Sequence, residues 1–265
     1  MFKKYEKPKM RKLTSEEFGL HRQSYFISIP KPYSPVSGME FILDIKPCMD
    51  YAKNLSIKIN QNIILSHVLN KLMALAIAEN PPYNQIILGN NLYQLEDVHI
   101  MNPIQIPDQG RAQQSIIIKN PHKKTLAEQK QEFTKKIFRL MKQKREPLSH
   151  PSLVIRKYIY KYGLNKLLSV KRIFSIGYAM DLFSNIILSV HEYNGPSDFK
   201  VLQMVQLPLF TLLMIHASRL DNHGDDNKQA LRLSIFGDHR VIFGSDTYLF
   251  FESLKKIAAE PEKYF

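Results

Sequence analysis

The chain has no tryptophan, one cysteine, only 10 glycines in 265 residues, and little acid: 24 Asp and Glu stand against 37 Lys and Arg. Each scarcity excludes something. A single thiol, Cys48, cannot close an internal disulfide, so the fold must rest on its core, and a reducing, cytoplasmic compartment is expected. Sparse glycine and proline argue against a collagen-like or disordered chain. The longest apolar stretches, 63–78 and 205–217, are broken by His67, Asn70, Lys71 and Gln206. Neither approaches the roughly 20 clean apolar residues of a transmembrane helix. Behind the charges of Met1–Lys7 no apolar segment follows, so no signal peptide is expected. HExxH, paired CxxC, Walker and GxGxxG patterns are all missing, and no metal site is expected. The run Asp221-Asn222-His223-Gly224-Asp225-Asp226 lacks the ligand spacing of a calcium loop and reads as a solvated turn.

What is present is the composition of a globular domain, 44% hydrophobic and 23% charged. A chain of this length buries roughly 70–75% of its unfolded surface, enough for one large core. The net charge of +13 raises the local concentration of anionic partners, without choosing among them. Tyrosines and lysines interleave around Tyr158–Tyr162, but no nucleic-acid-binding module surrounds them, and no nucleic-acid partner is expected.

Periodicity outlines a mixed α/β domain. Residues 1–22 read as a basic arm, and 23–265 as a single domain. Partial alternation predicts a strand over Phe41–Lys46, and helical spacing predicts a helix over 62–78, stopped by Asn80-Pro81-Pro82. A hairpin is predicted around Gly89-Asn90-Asn91, and a short β-branched strand over Ser115–Lys119. Leu126, Phe133, Ile137, Leu140 and Met141 share one face of a predicted helix over 126–144. Residues 155–172 are basic and tyrosine-rich, with no acidic residue. Buried strands are predicted over 185–190 and 209–215, and an alternating strand through Leu231, Leu233 and Ile235. Ser245 is read as the cap of a final helix reaching Ala259 and closed by Pro261. His191 and His216 lie on or beside these strands and read as core or surface residues.

The most specific stretch is Leu231-Arg232-Leu233-Ser234-Ile235-Phe236-Gly237-Asp238-His239-Arg240-Val241-Ile242-Phe243-Gly244. It resembles the motif of 2-oxo acid dehydrogenase E2 catalytic domains and chloramphenicol acetyltransferases, in which a strand runs into His, three residues, Asp and Gly. His239, Arg240, Val241 and Gly244 match, whereas Phe243 stands at the position of the motif Asp. The order of the other predicted elements matches as well, over roughly residues 20–260. Ser189, some fifty residues before the histidine, occupies the place of that family's strand serine.

The resemblance implies a chloramphenicol acetyltransferase-like fold, a mixed sheet packed with helices, associating as a homotrimer. It implies active sites in channels between subunits, His239 coming from one chain and Ser189 from its neighbour. It implies acyl transfer from a thioester donor, coenzyme A or the phosphopantetheine of an acyl carrier protein, to a thiol or hydroxyl. His239 would be the general base and Ser189 the oxyanion donor, with Asp238, Arg240, Phe243 and Gly244 as supporting positions. In that family the motif Asp is understood to hold the active-site loop through an arginine. Phe243 can make no such pair, so either the partner arginine is also absent here, with Phe243 packing apolarly instead, or the loop has moved. The alternative is a catalytically silent trimeric scaffold or binding protein. With 22 residues ahead of the domain, no lipoyl domain is expected.

Overall fold

Leu231, Leu233 and Ile235 are fully buried because the alternate positions of their strand all face one helical layer. A computed structural model describes residues 10–14, 36–88, 91–105, 113–142, 184–191, 213–219 and 229–265. Its strands are β1 (Met10–Lys12), β2 (Val36–Asp44), β3 (Gln85–Leu88), β4 (Asn91–Leu95) and β5 (His99–Gln105), followed by β6 (Gln113–Lys119), β7 (Ile186–His191), β8 (Leu213–Arg219) and β9 (Ala230–Asp238). Its helices are α1 (Lys46–Ile59), α2 (Leu65–Glu79), α3 (Leu126–Lys142), α4 (Gly244–Ala259) and the short α5 (Pro261–Tyr264).

Six strands form the main sheet in the order β2-β9-β8-β7-β5-β6, and β1-β4-β3 form a small second sheet. In the main sheet β7 runs parallel to β5 and β8, while the outer pairs are antiparallel. One face carries Leu43, Ile100, Ile186, Leu188, Ile215, Leu231, Leu233 and Ile235, all buried in the same core as Val68, Leu69, Leu72 and Met73 of α2. Along β2 the other face is open, with Glu40 and Ile42 exposed. The fold is therefore a mixed sheet layered with helices. The predicted strands and helices recur with shifted ends. Within the segment read as an arm, Met10–Lys12 pairs with β4 as an edge strand. The 150–183 segment and the Asp221–Asp226 turn lie outside the described residues.

Polar groups on the buried face of α2 tie it to its surroundings. Asn70 and Asn102 exchange two amide hydrogen bonds, at 2.7 and 3.0 Å, between α2 and β5. Lys71 donates to the carbonyls of His122 and Lys124 at 2.9 and 2.8 Å, fixing the 3₁₀ turn Pro121–Lys123. Burial lowers the Lys71 pKa.

Two histidines beside this lysine are kept neutral. The Ile64 N–H donates to His67 Nδ1 at 3.1 Å, and the His67 ring stands edge-on to Phe133. Burial, aided by Lys130, pushes His67 down to about 4. Burial, with Lys123 and Lys71 adding to it, pushes His122 down to about 4 as well. In an unfolded chain histidine titrates near roughly 6.5. Between these values the unfolded chain binds protons that the folded chain refuses. The stabilisation is therefore complete above about pH 6.5 and is lost as pH falls toward 4. Urea unfolding at pH 5 is expected to give a stability about 1–3 kcal/mol below that at pH 7.5, with the doubly substituted His67→Gln/His122→Gln chain losing less.

Candidate active site

Asp238 closes β9, and a tight turn follows it. The Asp238 carbonyl accepts the N–H groups of Val241 at 2.9 Å and Ile242 at 3.0 Å. Ile242 then tucks its side chain into the core against Gly237, where an added Cβ would lie 2.6 Å from Ile242 Cδ1. A glycine at 237 lets the turn fold back onto its own strand. His239 sits at the apex, partly buried, with Nδ1 3.0 Å from the carbonyl oxygen of Ile242. A carbonyl can only accept, so Nδ1 carries the proton of the neutral ring and Nε2 keeps the lone pair. This is the tautomer a base needs when substrate approaches Nε2.

The neighbours of His239 are locked to each other. Arg240 grips the Asp238 carboxylate through Nε at 2.9 Å to Oδ1 and through a terminal nitrogen at 2.5 Å to Oδ2. The Arg240 backbone N–H adds a third bond to Oδ1 at 2.9 Å. Only 10% of the Asp238 side chain and 15% of the Arg240 side chain are exposed.

Phe243 lies beside the histidine. Its ring packs against His239, with centroids 5.7 Å apart and planes tilted by 51°. At the position of the motif carboxylate the chain thus carries an aromatic ring against the imidazole. Phe243, rather than Ser245, is the N-cap of α4. Phenylalanine has no side-chain acceptor, so the helix start is secured from inside: Asp246 Oδ2 accepts the Phe243 N–H at 2.9 Å. Helix α4 is held in turn by Phe250, stacked on Tyr83 at 4.1 Å, and by Asn80, which donates to Ser253 at 3.0 Å. An added Cβ at Gly244 meets nothing within 4 Å. The Gly244→Ala chain is therefore expected to be as stable as the parent or up to about 1 kcal/mol more stable in thermal unfolding. Loss of activity in that stable variant would mark the space beside Gly244 as occupied by substrate or by a second subunit.

Ser189 lies on β7, far from this turn. Register carries it across His216 of β8 to Ser234 of β9. Ser234 donates to Glu40 on β2 at 3.2 Å, and Glu40 also faces Arg232 at 3.5 Å. Ser234 and Asp238 are four residues apart, roughly 13 Å along the strand, and two strand spacings add roughly 9.5 Å sideways. Within one chain, Ser189 and His239 are thus on the order of 15 Å apart and do not share a site. His191 and His216 are placed by register alone. Among the described residues no three His, Cys, Asp or Glu side chains come together as a metal site, and no helix is long and apolar enough to cross a membrane.

Three contributors were not read from the sequence. Ile242 acts through its main-chain carbonyl, and Gly237 through the absence of a side chain, so neither leaves a pattern to find. Asp246 had one, an acidic residue three positions into a helix start.

The six-stranded mixed sheet layered with helices is the fold of E2 catalytic cores and chloramphenicol acetyltransferase. Among solved structures the chain is similar to dihydrolipoamide acetyltransferase (E2p) of Azotobacter vinelandii, at 18% identity and TM-score 0.58, covering 92% of this chain and 87% of that one. It is similar to a probable dihydrolipoamide acetyltransferase from Listeria monocytogenes 4b F2365, at 14% identity and TM-score 0.60, covering 91% and 89%. A chloramphenicol acetyltransferase superposes at 13% identity and TM-score 0.55, covering 90% and 94%. No protein-family model matches the sequence, and no curated protein does. At these identities the likeness is one of fold.

Proposed function

We propose that the chain is an acyltransferase, moving an acyl group from a thioester donor to a thiol or hydroxyl acceptor in channels between the subunits of a homotrimer. The observation that carries this reading is the 3.0 Å contact between His239 Nδ1 and the Ile242 carbonyl, which in the neutral ring draws the proton to Nδ1 and leaves the lone pair on Nε2. Nε2 takes the acceptor's S–H or O–H proton as its sulfur or oxygen attacks the thioester carbonyl carbon. The Ser189 hydroxyl of the neighbouring subunit donates to the oxygen on which charge develops. The intermediate collapses, the carbon–sulfur bond breaks, and the departing thiolate receives the proton from Nε2. The cycle needs neither a covalent acyl-enzyme nor a metal.

The donor is coenzyme A or the phosphopantetheine arm of an acyl carrier protein, both anionic and suited to a chain of net charge +13. In this reading residues 23–265 form the catalytic domain, joined by the β1 edge strand from the basic segment 1–22, and 150–184 is a lid or carrier-facing surface, in a cytoplasmic protein. A silent trimeric scaffold is the second reading, favoured by the apolar Phe243 ring against His239 where the motif has a carboxylate. Thioester cleavage across a panel of acyl-CoAs, with small thiols and alcohols as acceptors, separates the two. Turnover by the parent that His239→Ala loses supports the transferase, and a well-folded parent that cleaves none of them supports the scaffold.

A further inference from the structure

We propose that the Asp238–Arg240 fork is the positioning device that holds His239 in its Nδ1–H tautomer and fixes the aim of its Nε2. The residues before and after the histidine are tied to each other by the backbone bond to Oδ1 and by the two-pronged guanidinium grip. That closure confines the main-chain angles on both sides of His239. The same turn presents the Ile242 carbonyl to Nδ1, since the Ile242 N–H is bonded to the Asp238 carbonyl. The tautomer thus depends on a turn whose charged tie is this pair. The pair is mostly shielded from water, where a planar two-pronged grip keeps its geometry better than a single ammonium contact does.

With an apolar ring at position 243, the tie comes from the residues immediately flanking the histidine, not from the motif's own carboxylate position. Asp238 and Arg240 touch neither donor nor acceptor in this scheme; they act through His239. The proposal builds on the reading of His239 as a base, but its first readout needs no turnover.

Two variants test it. Arg240→Lys keeps the charge and loses the planar fork. The paired Asp238→Asn/Arg240→Gln removes both charges of the pair together and keeps an amide contact. In protein carrying ¹⁵N-histidine, His239 is assigned as the resonance pair missing from His239→Asn. The parent is expected to give a protonated Nδ1 and a bare Nε2. In both variants the ratio of the Nδ1–H to the Nε2–H form is expected to fall about tenfold, the equivalent of one hydrogen bond, with the parent's size and melting temperature retained. Where turnover is measurable, kcat is expected to fall by about the same factor with KM unchanged. A single Nδ1–H tautomer retained in either folded variant overturns the proposal, as does an Nε2–H form in the parent. A parent inert toward every thioester whose variants still lose the tautomer supports the fork and removes the transferase reading instead.

Discussion

His239→Ala is expected to lower thioester cleavage by about 10²–10⁴-fold, the contribution of a positioned general base, while the protein stays folded. The size follows from what the imidazole supplies. Without it the described turn offers no second imidazole, and its carboxylates are already engaged: Asp238 by Arg240, and Asp246 by the Phe243 N–H. The cost to the fold is small by comparison. The ring is only partly buried, and truncation removes one hydrogen bond to the Ile242 carbonyl, worth about 1 kcal/mol. The turn itself is closed by main-chain bonds from Val241 and Ile242 to Asp238, which the substitution leaves in place. Released thiol is a clean readout here, because the lone thiol of the protein does not compete. Cys48 is fully buried, donates to the Ala258 carbonyl, and is pushed up to about 12 by burial and Asp44. An unchanged rate in His239→Ala would remove the histidine from the chemistry.

The legibility of these elements in the sequence follows their physics. Helix α3 was readable because Leu126 and Phe133 are buried at helical spacing and Ile137 and Leu140 pack on the cluster formed by Ile116, Ile118 and Phe133. Met141, assigned to the same face, is 58% exposed along with Phe138, because apolar side chains at that end of the helix do not all reach the cluster. Helix α1 was missed although Cys48, Met49, Tyr51, Ala52, Leu55 and Ile59 recur at helical spacing and are buried in or packed on the core. Strand β5 was missed because Asn102 and Pro103 interrupt it. Asn102 is explained by its amide partner on α2, and Pro103 lies beyond the last β5 residue paired with β7, Met101.

The site was legible in its chemistry and not in its geometry. His239 stood out through the residues around it. Where the Phe243 ring lies is decided by packing across the turn, which no local pattern encodes. The Asp238–Arg240 pair flanks the histidine in plain view. Opposite charges two residues apart do not ordinarily meet in a strand, where alternate side chains stand apart along one face. They meet here because the chain leaves β9 at Asp238 and turns.

Co-expressing His239→Ala with Ser189→Ala is expected to restore about a quarter of parental activity, although neither variant alone has more than about 1% of it. The reasoning starts from the sheet. Ser189 and His239 are on the order of 15 Å apart in one chain, too far for a base and an oxyanion donor to flank one carbonyl carbon. In the proposed ring of three subunits related by rotation, each interface would pair the histidine side of one chain with the serine side of the next. A trimer of either variant has every site broken. In random mixtures an interface works when its histidine comes from the Ser189→Ala chain and its serine from the His239→Ala chain. With equal amounts each condition holds about half the time, and both together about a quarter. Activity rising about 25-fold or more above either variant would place the two residues in different subunits of one site. Activity equal to the average of the two variants, from mixed trimers verified by mass spectrometry, would mean that Ser189 and His239 do not act across an interface, and the oxyanion donor would have to be sought on the chain that carries the base.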